Sequence, residues 1–237
     1  MFLMTGPGFH ILRFPVDQRQ QVTPSYTMVP GAHIEQFYDG FVVGEVIYLV
    51  SATSSGMVDC TRIHVCSLVD GRASISTHAC TRDPIDGKLP PARKQAALNV
   101  MSGYLVLAGG EIAHPNGGTT RMVDYWALDL TTFQWFHNGG TMPIPLIEPR
   151  LTTTYDGHAY LWGESDQPMA GMRPGFTHNR LLKVTGLVPD NMGPVDPVAS
   201  HPSGVPLPPA YPSAPPPPYA SPVPKYGEPG KPAPAAP

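Results

Sequence analysis

The chain has 237 residues, enough for one ordinary domain with an appendage and too few for two large ones. A formal net charge of -3 and a charged fraction of 14% leave no basic field for neutralising phosphates, so nucleic acid is not the expected partner. The 31 prolines and 24 glycines are well above ordinary usage and point to a low-complexity portion.

At the N-terminus, Met1-Phe2-Leu3-Met4 gives way to Thr5-Gly6-Pro7-Gly8, too short an apolar run for the core of a signal peptide. No uninterrupted apolar stretch is long enough to span a bilayer, and the expected compartment is cytoplasmic. From Phe9-His-Ile-Leu-Arg-Phe onward the sequence is a succession of short β-branched and aromatic runs. They are Phe41-Val-Val, Val46-Ile-Tyr-Leu-Val50, Ile63-His-Val-Cys, Tyr104-Leu-Val-Leu107, Tyr125-Trp-Ala-Leu, Gln134-Trp-Phe, Ala159-Tyr-Leu-Trp162 and Arg180-Leu-Leu-Lys-Val. Gly, Pro, Asn and Asp clusters separate them, which predicts an all-β sandwich, barrel or propeller. Only residues 93–101 have a composition that fits a helix. Cys60, Cys66 and Cys80 are odd in number and lack metal-ligand spacing, so buried free thiols are expected.

Three units share a glycine turn leading into an apolar strand: Gly44-Glu-Val-Ile-Tyr-Leu-Val, Gly103-Tyr-Leu-Val-Leu-Ala-Gly-Gly and Gly157-His-Ala-Tyr-Leu-Trp-Gly. The turn glycines are 59 and 54 residues apart, the spacing of a repeat with loop insertions. In the middle unit come Pro90-Pro-Ala-Arg93, Gly103, a strand ending in Gly109-Gly110, a polar loop, Val123-Asp-Tyr-Trp-Ala-Leu-Asp-Leu130, a Thr131-Thr132 turn and Trp135. In order and spacing this unit resembles a kelch repeat. The next unit restarts with Met142-Pro-Ile-Pro and Pro149-Arg150, also in the kelch manner. The resemblance covers about residues 9 to 187 and implies a partial propeller of about three blades. Paired glycines would let backbones approach closely, and the tryptophan would fill the space between blades. So few blades leave open edges, which implies a fragment of a longer protein, assembly with a second copy, or an irregular sandwich.

Composition changes near Val188, and 18 of the 31 prolines lie between Pro189 and Pro237. The expected division is a kelch-like domain over residues 1–187 and a disordered proline-rich tail over 188–237, solvated and in part polyproline II. Within the tail, Pro208-Pro209-Ala210-Tyr211, Pro212-Ser213-Ala214-Pro215 and Pro216-Pro217-Pro218-Tyr219 follow without a gap. The outer two match the Pro-Pro-x-Tyr ligand of WW domains, and the central one matches the Pro-Ser/Thr-Ala-Pro ligand of the UEV domain in ESCRT-I. The cluster resembles viral late domains and the tails of adaptors that recruit WW-containing HECT ubiquitin ligases. Proline rings filling an aromatic groove, with tyrosine as a larger anchor, supply the chemistry. Pro215 to Pro218 also suits an SH3 domain or profilin.

Kelch-type propellers also frame copper enzymes that resemble galactose oxidase, so a fragment of a secreted enzyme of that kind is the alternative. His64, His78, His137 and His158 fall on predicted strands or turns and do not align with such a ligand set. There is no Gly-x-Ser-x-Gly elbow, P-loop, His-Glu-x-x-His or Rossmann fingerprint. The expectation is a non-catalytic adaptor with no cofactor and no metal.

Overall fold

The computed structural model describes residues 9–13, 25–29, 34, 36–69, 72–154, 158–168, 171, 173 and 175–187. Among them there is no helix. The strands in chain order are β1 (Phe9–Arg13), β2 (Ser25–Val29), β3 (Phe37–Val43), β4 (Val46–Ser51), β5 (Arg62–Val69), β6 (Arg72–Ala79), β7 (Ala97–Met101) and β8 (Tyr104–Ala108). There follow β9 (Glu111–Ala113), β10 (Thr119–Arg121), β11 (Asp124–Asp129), β12 (Trp135–Thr141), β13 (Ile147–Thr153), β14 (Ala159–Ser165) and β15 (His178–Val184). The protein is therefore all-β over these residues.

Three open antiparallel sheets carry the body. The first is ordered β3-β4-β5-β6, the middle one β7-β8-β11-β12 and the third β13-β14-β15, while β1-β2 and β9-β10 form two-stranded ribbons. Turn chemistry fixes the leading hairpins. Val43 pairs with Val46 across a two-residue turn begun by Gly44 at φ 60. Met101 pairs with Tyr104 across Ser102 and Gly103, at φ 50 and φ 80. At Ser102-Gly103 both central positions have the positive φ that a type I′ turn requires, which matches the twist of the flanking strands.

Residues 93–101 do not form a helix. Gln95 sits at φ 53, which interrupts any helical path, and Ala97 to Met101 pair with β8. The run resembles a helix segment because it is apolar on both sides. As a strand it serves two cores, with Leu98 facing one and Ala97 the other.

Burial follows from that two-sidedness. Between the first and middle sheets, Val50, Ile63, Leu105, Leu107, Trp126, Leu128 and Trp135 form one core. Between the middle and third sheets, Val106, Ala108, Tyr125, Leu151, Ala159, Leu161 and Val184 form a second. Along β8 the period of two sends Leu105 and Leu107 one way and Val106 and Ala108 the other, so all five of its residues are buried. The middle sheet is the only one of the three whose two faces both belong to described cores.

The contacts between sheets are specific. The first strands stand side by side, with β7 against both β3 and β13. Asn99 Nδ2 donates to the Leu151 carbonyl at 2.9 Å and Thr153 Oγ1 to the Val100 carbonyl at 3.0 Å. On the other flank, Trp135 is 2% exposed and its Nε1 donates to the Cys60 carbonyl at 2.9 Å. The indole therefore bridges the middle sheet to the segment entering β5. Gly110, at φ 91, marks a close approach: a Cβ there would lie 2.6 Å from the Lys94 carbonyl oxygen, a backbone atom that cannot move aside cheaply.

Replacing Trp135 by Ala removes a wedge from the first core and strips the Cys60 carbonyl of its donor. The expected cost is about 3 to 5 kcal/mol, read as a lowered denaturant midpoint. A midpoint within error of the parent would contradict the bridging role.

Candidate functional site

The most organised polar cluster grows out of Arg93. Its side chain is fully buried, which a guanidinium tolerates only when its donors are matched. Nη1 and Nη2 donate to Asp124 Oδ1 and Oδ2 at 2.5 and 2.9 Å, a two-pronged fork across 31 residues of sequence. Nη1 also reaches the Gly109 carbonyl at 3.1 Å, and Nε donates to the Pro91 carbonyl at 2.9 Å. Asp124 Oδ2 further accepts the Trp126 Nε1–H at 2.7 Å. Burial alone would push the Asp124 carboxyl up, but the Arg93 fork and the Trp126 donor outweigh it and hold the group below the usual carboxylate range.

Over this cluster lies an open cleft of about 600 Å³. One wall is apolar, formed by Leu89, Pro90, Pro91 and Trp126. The His137 imidazole stacks on the Trp126 indole with ring centres 4.3 Å apart and planes 19° from parallel. Its Nδ1 is 3.5 Å from Asp86 Oδ2, and its backbone N–H donates to Asp83 Oδ2 at 2.7 Å. Arg82 and Lys88 supply cationic rim groups. The Asp124 carboxylate is already held by Arg93 and Trp126, so the cleft offers aromatic and proline surfaces framed by mixed charge. That is contact chemistry of the kind used to seat an extended chain.

A second polar group gathers where the first strands converge. The Tyr38 hydroxyl accepts the Ala96 N–H at 2.9 Å and lies 3.3 Å from the Ala96 carbonyl. Burial pushes the Asp39 carboxyl up, opposed by the Gly40 N–H and by Arg150. Gln95 and Glu148 both occupy the left-handed region, at φ 53 and φ 46, and are joined by a 2.8 Å side-chain hydrogen bond. Two strained non-glycine residues thus tie the segment entering β7 to β13.

The docking residues expected from sequence, Pro208, Pro209, Tyr211, Pro212, Ser213, Ala214, Pro215, Pro216, Pro217 and Tyr219, all lie outside the described residues. The four histidines weighed as ligands are dispersed. His64 Nδ1 pairs with Thr77 Oγ1 at 2.8 Å, His78 Nε2 with Ser76 Oγ at 2.8 Å, His137 lies in the cleft, and the His158 backbone N–H donates to Thr154 Oγ1 at 3.2 Å. Among the described residues no cluster of three or more His, Cys, Asp or Glu side chains has the proximity to hold a metal ion. The three cysteines are free. Burial pushes the Cys60 and Cys80 thiols up to about 12, so both stay protonated at neutral pH. No helix among the described residues is long and apolar enough to cross a membrane. Sequence reading marked Arg93 and Asp124 as repeat landmarks without pairing them, and it missed the cleft.

No protein-family model matches the chain, and no curated protein does. Among solved structures the chain is similar to one titled "Structure of YjhT", with 18% identity and a TM-score of 0.40. The match covers 53% of this chain and spans about a third of that one, 33%.

The charge states set a two-stage acid response. Burial, aided by Arg62, lowers the His64 pKa in the folded protein, so below about pH 6.5 the unfolded chain takes up a proton first and stability falls until the folded value is passed. Asp124 contributes stability that is complete above about pH 4 and is lost as pH falls through its lower folded-state value. Denaturant midpoints between pH 7 and pH 3 should show both limbs. His64→Gln should remove the upper one. Asp124→Asn should flatten the lower one and also lower stability at pH 7, because Arg93 loses its counter-charge. An unchanged acid limb in Asp124→Asn would contradict the assignment.

Proposed function

We propose that the chain is a non-catalytic interaction protein: a kelch-like partial propeller of about three blades that presents a recognition surface, followed by a proline-rich tail that recruits WW or UEV domains. The body reading is supported by three stacked sheets, two of them four-stranded and wound in sequence order, whose first strands lie side by side. Trp135 between two sheets and the close backbone approach at Gly110 support it further, since these are the roles the kelch pattern gives its tryptophan and paired glycines. In this reading the cleft beside His137 and Trp126 is where an extended partner segment would be seated.

The observation that carries the adaptor function is the run Pro208 to Tyr219, in which two Pro-Pro-x-Tyr motifs flank a Pro-Ser-Ala-Pro motif with no residue between them. At about 3.1 Å per residue this run spans only about 35 Å in polyproline II, so neighbouring docking domains would overlap. The tail then selects one partner at a time, a WW domain of a HECT ubiquitin ligase or the UEV domain of ESCRT-I.

Calorimetric titration of the full chain with each domain, alone and in the presence of the other, tests this. The expected result is mutual exclusion, with Tyr211→Ala plus Tyr219→Ala abolishing WW binding and leaving UEV binding intact. A ternary complex formed at undiminished affinity would rule out selection, and unchanged WW binding by the double variant would rule out the motifs.

A further inference from the structure

The described chain ends close to the cleft. After β15 the backbone turns at Gly186, at φ 67, whose carbonyl accepts a hydrogen bond from Asn138 Nδ2, and Leu187 is then buried in the second core. Asn138 follows His137 in β12, and His137 lines the cleft. The two side chains leave the strand on opposite faces, Asn138 level with Tyr125 of the second core and His137 level with Trp126 of the first. Because β12 is the outer strand of its sheet, a chain leaving Leu187 has one strand edge to round before it meets the cleft.

The charged groups that line the cleft are answered within the body, with one exception. Asp124 is held by Arg93, and Asp86 Oδ2 faces Lys88 Nζ and His137 Nδ1, each at 3.5 Å. Arg82 is different. Among the described residues its guanidinium makes one hydrogen bond, from Nη1 to the Gly87 carbonyl at 3.1 Å, and no ion pair. A guanidinium with most of its donors unused, beside a wall of Leu89, Pro90 and Pro91, fits a carboxylate set among small apolar residues and prolines.

The sequence beyond Leu187 supplies that chemistry. Between Leu187 and Lys225 the only charged side chains are Asp190 and Asp196. Asp190 lies three residues past Leu187, a span of about 10 Å when fully extended, which leaves little slack to round β12. Asp196 lies nine residues past it, a reach of roughly 30 Å. It stands in Pro194-Val195-Asp196-Pro197-Val198, with proline and valine on both sides of the carboxylate.

We propose that residues 194–198 dock in the cleft of their own chain, with Asp196 on the Arg82 guanidinium and the flanking prolines and valines against Leu89, Pro90 and Pro91. The proposal rests on the reading of the cleft as the seat of an extended segment, and it adds that a partner must displace this one. A short flexible tether holds its segment at an effective concentration of millimolar order, so the same segment supplied as a free peptide competes poorly.

Calorimetric titration of a synthetic peptide of residues 191–200 into the full chain and into its Asp196→Arg variant tests this. The variant's own segment is repelled by Arg82, so it should bind the peptide at least about tenfold more tightly than the parent does. Adding Arg82→Ala to the variant should weaken peptide binding about tenfold while leaving the denaturant midpoint unchanged, because Arg82 is exposed. Equal binding by parent and variant overturns docking in cis and leaves the cleft a seat for extended chains. Binding by neither overturns both. An advantage of the variant that grows with protein concentration assigns the cleft to the segment of a second copy, and peptide binding untouched by Arg82→Ala removes the proposed anchor; either result overturns the proposal.

Discussion

Arg93 occupies the junction of the first and middle sheets, and most of what is specific about the architecture passes through it. A fully buried guanidinium is tolerable only with its charge matched and its donors used. Here the match is Asp124 at the head of β11, assisted by the carbonyls of Gly109 and Pro91. Four further bonds leave the same short segment: the Arg93 carbonyl accepts from Val58 N, Lys94 exchanges two backbone bonds with Glu111, and Ala96 N donates to the Tyr38 hydroxyl. One irregular stretch of four residues thus ties the first sheet, the exit of β8 and the start of β11 together. Gly109 and Gly110 follow as a consequence, since backbone at φ 59 and φ 91 carries the chain past Lys94 and aims a carbonyl at the guanidinium.

Once that junction is set, the middle sheet becomes the centre of a stack. It supplies side chains to both cores in alternation, while the first and third sheets each close one side of it. Polar groups that face the open cleft hang from the same framework: Asp124 orients Trp126, Trp126 supports the His137 ring, and Asp83 holds the His137 backbone. A surface built this way is rigid because each part is buried or bonded on the side away from solvent. Rigidity of that kind suits recognition, since little ordering is left to occur on binding.

Much of this was legible in the sequence where a single residue type dictates local geometry. Gly44 and Gly103 marked the leading hairpins because their backbones lie at positive φ, and the apolar runs at residues 46–50, 104–107, 125–128 and 159–162 became strands because their periodicity allows little else. Elements without an apolar signature escaped. β6, Arg-Ala-Ser-Ile-Ser-Thr-His-Ala, is small and polar because its residues are exposed or half-exposed, and β13 contains Pro149, which a strand accepts here because it lies at the edge of its sheet and within the register shift between Ile147 and Arg150. Residues 93–101 misled because a strand buried on both faces has no period to read. The Arg93–Asp124 pair was invisible for a different reason. Its partners are 31 residues apart, and only the folded stack brings them together.

The central claim is that Arg93 and Asp124 act as one unit that the surrounding fold is built to satisfy. A double-mutant cycle on denaturant stability measures this directly, using Arg93→Met, Asp124→Leu and the two combined. Each single variant leaves one buried charge without its counterpart and should lose about 3 to 5 kcal/mol, whereas the combined variant should lose well under the sum, with a coupling of about 1 to 3 kcal/mol. Strictly additive losses would mean that the two residues stabilise the fold independently, and would contradict the account.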